Sequence, residues 1–389
     1  MRAPLADNAT LGRILDALRP MLAALAALAV GAGMLLLLDA DPLKAYGAMM
    51  EGAFGSSNAL AETLVKATPL LFVALGISIA FRGGVINIGG EGQYIVGALV
   101  ATVFSLNAPP LPAWMLIAAA TMLGFLGGAL WGGIAGALKA YLNVNEILST
   151  IMLNQIAVQG MNFLLRGPLI DPVQAARASQ IPQTARFAEV FDLPRWVPTR
   201  LHLGALLAIL LAGLVYLFLW RTTIGYRIRA VGLNPHASRY AGIRVRRYTV
   251  LALLLSGAFA GLAGAVQVLG VSHRMLTDGS ATGFTGGVGF NGIVAALFGQ
   301  LHPIGAIPAS FLFGGLLVGA NSLQRAMQVP SALVATLNGL VVVFVVSSEI
   351  LKRRRARLGR MSELAPEPAA PSGAAWERQA EPGAPAEPP

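Results

Sequence analysis

Long apolar runs make up most of this chain, and they restrict its fold more than any other feature. The run at 21–38 has no charge, and further apolar runs follow at 64–80, 111–138 and 203–220. A helix needs about 20 predominantly apolar residues to cross the hydrocarbon core of a bilayer. Because 56% of the 389 residues are hydrophobic and only 12% are charged, the composition excludes an ordinary soluble globular protein. The sequence therefore predicts an all-α integral membrane protein.

Ten membrane segments are predicted, in two pseudo-repeats of five, with both chain ends in the cytosol. In the seventh segment, Ser256, Gly257, Gly261 and Gly264 form a small-residue face suited to close helix packing. The predicted segments are 21–38, 64–80, 94–106, 111–138, 143–165, 203–220, 248–270, 283–299, 304–323 and 333–350.

The segments define the predicted domain organisation. A cytoplasmic N-terminus, 1–20, precedes a transmembrane domain, 21–351, and the chain ends in a basic and then disordered cytoplasmic tail, 352–389. The Pro- and Arg-rich stretch 166–200 is predicted to form an external loop, although its five Arg run against the preference for positive charge on the cytoplasmic side. The strongly basic stretch 221–247 is predicted to lie in the cytosol.

A helix start is predicted at 143–146, Asn-Val-Asn-Glu, because either Asn143 or Asn145 can cap a new helix. With Asn143 as the cap, Glu146 falls at the third helical position and completes a capping box.

Two glycine-rich stretches, 81–93 and 283–299, interrupt the apolar pattern at similar places in the two halves. Each glycine costs about 1 kcal/mol relative to alanine in a helix, so a continuous helix is disfavoured there. Non-helical backbone at membrane depth persists only where it is buried in protein or lines a wet cavity. Transporters with internal repeats place paired broken helices along the substrate path. We therefore expect a translocation pathway at Asn87, Glu91, Gln93, Asn154 and Asn291.

These polar residues also have simpler interpretations. Glu91 could cap the N-terminus of a half-helix or pair with Arg82. Asn154, like Gln155 and Asn162 on the same predicted segment, could hold neighbouring helices together, which is the more frequent role of such side chains in membranes.

The stretch 221–247 contains seven Arg and no acidic residue, which indicates the cytoplasmic side. Within it, Asn234 can cap a short helix, Pro235 suits the first turn, and Gly242 can take the left-handed position after the end. A loop that only fixed topology would need charge but no such shape. We therefore expect a short exposed helix on which a cytosolic partner docks.

Several motifs carry a resemblance to a known family. The coupling-loop motif is Gly232-Leu233-Asn234-Pro235 with Ala237 and Tyr240-Ala241-Gly242-Ile243. Similar motifs occur at 81–93, at 145–154 and at 283–297, so the resemblance covers roughly residues 60 to 345. Together they resemble ABC-importer permeases of the branched-chain amino acid, ribose and nucleoside class. The motif at 81–93 is the most specific, and it is similar to the simple-sugar or purine-nucleoside permease subgroup.

The resemblance implies a permease subunit of an ABC importer in the bacterial inner membrane, moving a nucleoside or simple sugar by alternating access. The implied partners are ABC ATPase subunits, a periplasmic or lipoprotein substrate-binding protein, and a second homologous permease in a heterodimer. The residues implied to couple the permease to the ATPase are Gly232, Asn234, Pro235, Ala237, Tyr240, Ala241, Gly242 and Ile243.

The sequence also limits the chemistry of the chain itself. It contains no cysteine, only four scattered His and no G-x-x-x-x-G-K-[ST] phosphate loop, so we expect no metal, no cofactor and no ATPase activity of its own. The net charge of +10 lies largely beside apolar runs and lacks interleaved aromatics, so nucleic acid is not an expected partner. Three alternatives remain: an ion-coupled secondary transporter with Glu91 as its coupling carboxylate, a passive channel, and an ABC permease for branched-chain amino acids.

Overall fold

A computed structural model describes most of the chain. The described residues are 25–26, 28–37, 39–178, 180–195, 199–328, and then 330, 336, 339–340 and 343. The predicted N-terminus 1–20 and tail 352–389 lie outside these residues, as does most of the predicted segment 333–350.

The fold is built from helices, and within the described ranges the only strand-like pairing is at two isolated bridges. Residues 28–36 are also helical. The helices that follow are α1 (Pro42–Phe54), α2 (Ser57–Arg82), α3 (Gly90–Leu106), α4 (Ala113–Leu142), α5 (Glu146–Arg166), α6 (Pro172–Ala175), α7 (Gly204–Arg221), α8 (Thr223–Leu233), α9 (Pro235–Tyr240), α10 (Val245–Gln267), α11 (Ala281–Thr285), α12 (Val288–Phe298) and α13 (Pro303–Met327).

Among the described residues, six helices are long and apolar enough to cross a membrane: α2, α4, α5, α7, α10 with the π turn Val268–Ser272, and α13. Two predicted segments appear as shorter helices, since α3 has 17 residues and α12 has 11. The all-α prediction is confirmed for the described residues, whereas the ten-segment arrangement in two repeats is not.

Apolar side chains cover the outside of the bundle. Leu130 on α4, Phe163 on α5 and Leu210 on α7 are all exposed. A soluble protein rarely exposes apolar surface on this scale, whereas lipid tails can cover it. The α2 helix is the opposite case, because 83% of its most apolar window is buried inside the protein.

Helix α10 packs at the centre of the bundle against α3 and α4. A side chain at Gly257 or Gly261 would overlap the backbone of α4 at Gly128 and Gly124, so the helices can approach this closely only without side chains there. The predicted small-residue face of the 248–270 segment is therefore a packing face.

The connection between α4 and α5 corrects one prediction. Asn145, not Asn143, caps α5, since its Oδ1 accepts a hydrogen bond from the Ile147 amide at 2.9 Å. Asn143 takes a left-handed conformation with φ 54° at the end of α4. The capping box of Asn143 with Glu146 is therefore wrong, and Glu146 pairs instead with Lys139 at 2.8 Å.

The two ends of the bundle differ. Helix α2 ends at Arg82, beside the loop 221–247, and α10 begins at the same end. At the opposite end, residues 180–193 pair with 269–277: the Thr184 amide bonds the Met275 carbonyl at 2.9 Å, and the Phe187 amide bonds the His273 carbonyl at 3.0 Å. The described residues of the stretch 166–200 thus form a folded cap on the end opposite the basic loop.

Candidate functional site

The first glycine-rich stretch breaks the helix, as predicted. Helix α2 ends at Arg82, Gly84 has a φ of +74°, and α3 begins at Gly90. The side chain of Asn87 is fully buried inside this break. Its Oδ1 accepts a hydrogen bond from the Gly89 amide at 2.8 Å, so it fixes the turn that leads into α3.

Amide side chains continue this network. Asn87 Nδ2 donates to Gln93 Oε1 at 2.9 Å and to Ser256 Oγ at 2.8 Å, and Gln93 Nε2 donates back to Asn87 Oδ1 at 3.1 Å. Ser256 belongs to the small-residue face of α10. Sequence reasoning assigned it to packing only, because a serine hydroxyl beside glycines gives no signal of a long-range partner.

Asn154 clamps the break from α5. Its Oδ1 accepts from the Gly92 amide at 2.8 Å, and its Nδ2 donates to the Ile88 carbonyl at 2.9 Å. It thereby satisfies one of the free amides in the first turn of α3 and one carbonyl of the non-helical backbone. In this conformation the buried side chains of Asn87, Gln93 and Asn154 hold the break together.

Glu91 joins the two broken stretches. Its side chain is 1% exposed, and its Oε1 accepts a hydrogen bond from the Phe290 amide at 3.3 Å. Phe290 lies in the first turn of α12, where a carboxylate is stabilised by the free amides and the helix dipole. Glu91 therefore caps a half-helix, which was one of its two simpler interpretations. The other interpretation was an ion pair between Glu91 and Arg82. In the structure, Arg82 Nε donates a hydrogen bond to the Leu301 carbonyl at 2.6 Å.

The second glycine-rich stretch is also broken. Helix α11 ends at two left-handed glycines, Gly286 with φ +62° and Gly287 with φ +74°, before α12 begins. Asn291 on α12 is half-buried, and its side chain forms no hydrogen bond within the described part of the chain. The structure thus brings Asn87, Glu91, Gln93 and Asn154 to the first break, while the side chain of Asn291 stays outside their network.

The predicted short helix in the basic loop is present as α9. Asn234 Oδ1 accepts from the Ala237 amide at 3.0 Å, and Pro235 occupies the first helical position. Gly242 follows the helix with φ +76°, and the Ile243 amide bonds the Ser238 carbonyl at 2.9 Å. Tyr240 is 95% exposed. The helix is therefore held in shape from both ends while its surface remains free.

The arginines around α9 fall into two groups that the sequence could not separate. Arg229 is tied inward, since its Nε donates to the Leu219 carbonyl at 3.0 Å and its guanidinium lies over Trp220 at 5.3 Å. Arg227 Nη1 donates to Tyr248 Oη at 2.9 Å. The other group lies beside a cavity of about 690 Å³ that is lined by Tyr141, Arg239, Gly242, Ile243, Arg244, Val245, Arg246 and Arg247.

Backbone contact links α9 to the first break. A side chain on Gly232, at the end of α8, would overlap the Arg82 carbonyl, and a side chain on Gly84 would lie 2.8 Å from the Gly232 Cα. Gly232 therefore acts through close packing and not through the exposed surface of α9. Two residues separate it from Pro235, the first residue of α9.

The cap at the opposite end contains two buried histidines, His202 and His273. Burial lowers the pKa of His202 to about 4, and the nearby charges of His273 and Arg195 act in the same direction. Burial also lowers the pKa of His273, although Asp192, whose Oδ1 lies 2.7 Å from its Nδ1, acts in the opposite direction. Burial therefore disfavours the protonated form of both imidazoles.

The apolar bundle, the two broken stretches and the exposed basic helix define a multi-pass membrane protein of the transport class. A family model described as "Branched-chain amino acid transport system / permease component" matches residues 59–346, and the chain belongs to this family of ABC transport permeases.

Relatives match over most of the chain. The guanosine ABC transporter permease protein NupP of Bacillus subtilis is 36% identical over 87% of this chain and 96% of its own length. The glucose ABC transporter permease protein TsgB13 of Haloferax volcanii is 34% identical over 92% of this chain and 94% of its own. A second Bacillus subtilis protein, the guanosine ABC transporter permease protein NupQ, is 31% identical over 65% of this chain and 78% of its own. No solved structure matches the chain.

Proposed function

We propose that this permease is the membrane subunit of an ABC importer that carries a nucleoside or a simple sugar across the bacterial inner membrane. The observation that carries the proposal is the capped, exposed helix α9, which follows closely after Gly232 of α8, the residue that packs against Gly84 of the first break. Separate ABC ATPase subunits would bind α9 and supply the energy. A periplasmic or lipoprotein substrate-binding protein would deliver the solute to the opposite end.

The proposed docking element is α9 with its flanks. Asn234, Pro235 and Gly242 give the helix its shape, and Ala237, Tyr240 and Ala241 present an exposed surface. A helix that is fixed at both ends can transmit displacement, because it does not unwind when it is pushed. Ile243 completes the C-terminal turn through its bond to Ser238.

The proposed translocation pathway runs between the two broken stretches. Glu91 contacts the start of α12, and Gly90 lies against Gly289, so this crossing is closed in the present conformation. The first stretch would be held in this closed position by the hydrogen bonds of Asn87, Gln93 and Asn154. Asn291, which is half-buried at the same level of α12, would contact the solute once the two stretches separate.

Relatives support the substrate class and a second permease. Two of them are named for guanosine and one for glucose, and both solute types are neutral and rich in hydrogen-bonding groups. Amide side chains suit such solutes because they donate and accept without charge. NupP and NupQ are two guanosine permease proteins of one organism, which supports pairing of this chain with a homologous but different permease.

The energy source tests the proposal directly. Proteoliposomes that contain the permease, its paired permease and the partner ATPase should accumulate labelled nucleoside or sugar with ATP on the ATPase side, even after ionophores collapse all ion gradients. Glu91→Gln should retain uphill uptake, because the amide oxygen still accepts the Phe290 bond. Wild-type accumulation that vanished with the ionophores while ATP remained would identify an ion-coupled carrier instead. Uptake of labelled leucine in the same proteoliposomes, in place of nucleoside or sugar, would identify a permease for branched-chain amino acids.

The docking role of α9 has its own test. Gly242→Val should abolish uptake and capture of the ATPase, because a β-branched residue resists the φ of +76° that closes the helix. Gly242→Asn is the matched control, since Asn tolerates this conformation and should keep most activity. There is open space around position 242, so neither side chain meets a steric obstacle. Equal uptake by the two variants would remove α9 from the coupling mechanism.

A further inference from the structure

A polar cavity of about 930 Å³ opens at the end of the bundle opposite α9. It lies between α2, α13 and the segment that leads into α7. Its lining residues are Glu62, Lys66, Arg200, Val318, Asn321, Gln324, Arg325 and Gln328. Sequence reasoning did not select any of them, although Lys66 gave a signal as a cation within the apolar run 64–80.

Lys66 lies inside the membrane-crossing part of α2. It lies sixteen positions before Arg82 at the α9 end of the helix, which at 1.5 Å per residue is about 24 Å. The hydrocarbon core is about 30 Å thick, so a core that begins at the level of Arg82 includes Lys66 near its opposite boundary. Ionisable groups at this depth almost always face a water-filled cavity or the interior of the bundle.

No partner neutralises Lys66 within the described residues, and its side chain is exposed to the cavity. The nearest acidic residue lining the cavity, Glu62, lies with its Oε1 3.7 Å from Arg200 Nε. Arg325 donates to the Asn321 carbonyl and the Ser322 hydroxyl of its own helix, both at 3.3 Å. The cavity therefore has an excess of hydrogen-bond donors that carry positive charge.

The opposite wall of the cavity is one face of α13. Asn321, Gln324 and Arg325 are spaced by three and four residues, which places them on the same side of the helix, and Gln328 follows the end of the helix. Amides and a guanidinium on a membrane helix would be costly against lipid tails, so this face requires water or a polar partner.

Close backbone packing fixes the distance between the two walls. A side chain on Gly314 of α13 would lie 2.8 Å from the Thr63 carbonyl of α2. The cavity thus lies beside two helices whose backbones are in direct contact.

The same face of α2 leads from the cavity to the second break. Lys66 and Val73 are seven residues apart and share one side of the helix. A side chain on Gly292 of α12 would lie 2.5 Å from Val73 Cγ1, so α12 covers this face directly below the cavity. The face of α2 that lines the cavity therefore continues to α12, whose first turn Glu91 contacts.

We propose that this cavity is the outer vestibule of the translocation pathway, and that Lys66, Asn321 and Gln324 contact the solute before it reaches the broken stretches. The proposal rests on the proposed transport function and adds the residues that select the solute. The volume of the cavity falls within the range of small-molecule sites, about 300–1,000 Å³.

The donor excess also favours one solute class. Lys66 and Arg325 offer only donors, and such side chains match an edge with carbonyl oxygen and ring nitrogen acceptors, as oxopurine bases have. The hydroxyl groups of a hexose both donate and accept and gain less from charged donors alone. The vestibule therefore fits a nucleoside with an oxopurine base better than a hexose.

Cysteine labelling tests whether the cavity is a vestibule. The chain has no cysteine of its own, so Lys66→Cys in the complete transporter should react with a charged, impermeant maleimide added from outside. Leu210→Cys, on the exposed apolar face of α7, should not react, because a thiol in lipid stays un-ionised and unreached. A Lys66→Cys variant that stays unlabelled from outside overturns the proposal.

Slower labelling of Lys66→Cys in the presence of a ligand identifies what occupies the cavity. Guanosine added without the substrate-binding protein should slow the labelling of Lys66→Cys, and glucose should slow it less. Protection by the substrate-binding protein alone, with no effect of any free solute, would make the cavity a docking surface and overturn the solute contact. If the wild type accumulates no nucleoside or sugar, the proposed function fails, yet the access of the reagent still decides whether the cavity is open to the outside.

Uptake kinetics test the role of Lys66 in selection. Lys66→Met should raise the KM for guanosine roughly tenfold with little change in maximal rate, because a charged donor is lost from the entry site. Lys66→Arg should restore most of the affinity. Lys44→Met is the control for a lost cation near the same end of the bundle but outside the cavity, and it should leave KM unchanged. Equal KM values for Lys66→Met and Lys44→Met would refute the contact.

Discussion

The two broken stretches share glycines and membrane depth but are held in different ways. At the first break, Asn87 and Asn154 bind the non-helical backbone from two sides and are themselves buried. At the second break, Gly286 and Gly287 turn the chain by their left-handed conformations, and Thr285 Oγ1 accepts a hydrogen bond from the Gly287 amide at 3.1 Å. Among the described residues, Glu91 from the first break bonds the first turn of α12.

This difference indicates which stretch can change shape at lower cost. Movement of the first break would leave several buried polar groups without partners, and each such group costs about 1–3 kcal/mol. The second break has one such bond, from Thr285 to the Gly287 amide, and otherwise depends on backbone conformations that glycine can leave easily. We expect the first break to belong to the fixed scaffold and the second to be the element that moves.

The largest expected effect is at Asn154. Asn154→Ala removes the partners of both the Gly92 amide and the Ile88 carbonyl, so two buried groups lose their bonds. The expected loss in the free energy of unfolding is about 2–6 kcal/mol. Thermal unfolding of the detergent-solubilised protein, followed by size-exclusion fluorescence, measures it.

A matched variant separates the two bonds of Asn154. Asn154→Asp keeps an acceptor for the Gly92 amide and loses the donor to Ile88, so its unfolding midpoint should be lowered. A wild-type midpoint for Asn154→Ala would contradict the view that the first break is fixed by side chains.

An intermediate effect is expected at Gly286. Gly286→Ala places a side chain in open space, so only the left-handed backbone conformation resists it, at about 1–2 kcal/mol. Because this stretch is expected to move, the uptake rate should fall by more than the stability change explains. Gly160→Ala on α5 is the control, since it also enters open space but in a helix interior where alanine is favoured. If Gly286→Ala lowered the unfolding midpoint as much as Asn154→Ala, the two breaks would not differ in how firmly they are held.

The smallest effect on stability is expected at Asn291. Its side chain is half-buried and makes no hydrogen bond among the described residues, so Asn291→Ala should change the free energy of unfolding by less than about 0.5 kcal/mol. If the solute meets Asn291 when the stretches separate, the same variant should still raise the KM for uptake. A large loss of stability with normal uptake would assign Asn291 to the scaffold.

Local signals in the sequence predicted local structure well. Asn234, Pro235 and Gly242 predicted α9 because a cap, a first-turn proline and a left-handed glycine act within one short helix. The glycines of 81–93 and 283–299 predicted both breaks for the same reason. The choice between Asn143 and Asn145 was open, and it depended on where α4 ends, which the sequence does not specify to the residue.

Contacts between distant residues could not be predicted. The bond between Asn87 and Ser256 joins residues 169 positions apart, and that between Glu91 and Phe290 joins residues 199 apart. They depend on how helices pack, and no local pattern encodes this. The network of the candidate site therefore became visible only in the structure, although the residues had been selected as polar groups at membrane depth.

The contact of Gly232 with Gly84 also determines how stiff the protein is between α9 and the first break. Side chains between two backbones act as a soft layer, because rotamers adjust when one backbone is displaced. Here the backbones touch directly, and a side chain on either glycine would be too close to its neighbour. A displacement of Tyr240 on α9 would therefore be passed through α8 to residues 82–84, with little of it absorbed by side-chain rearrangement.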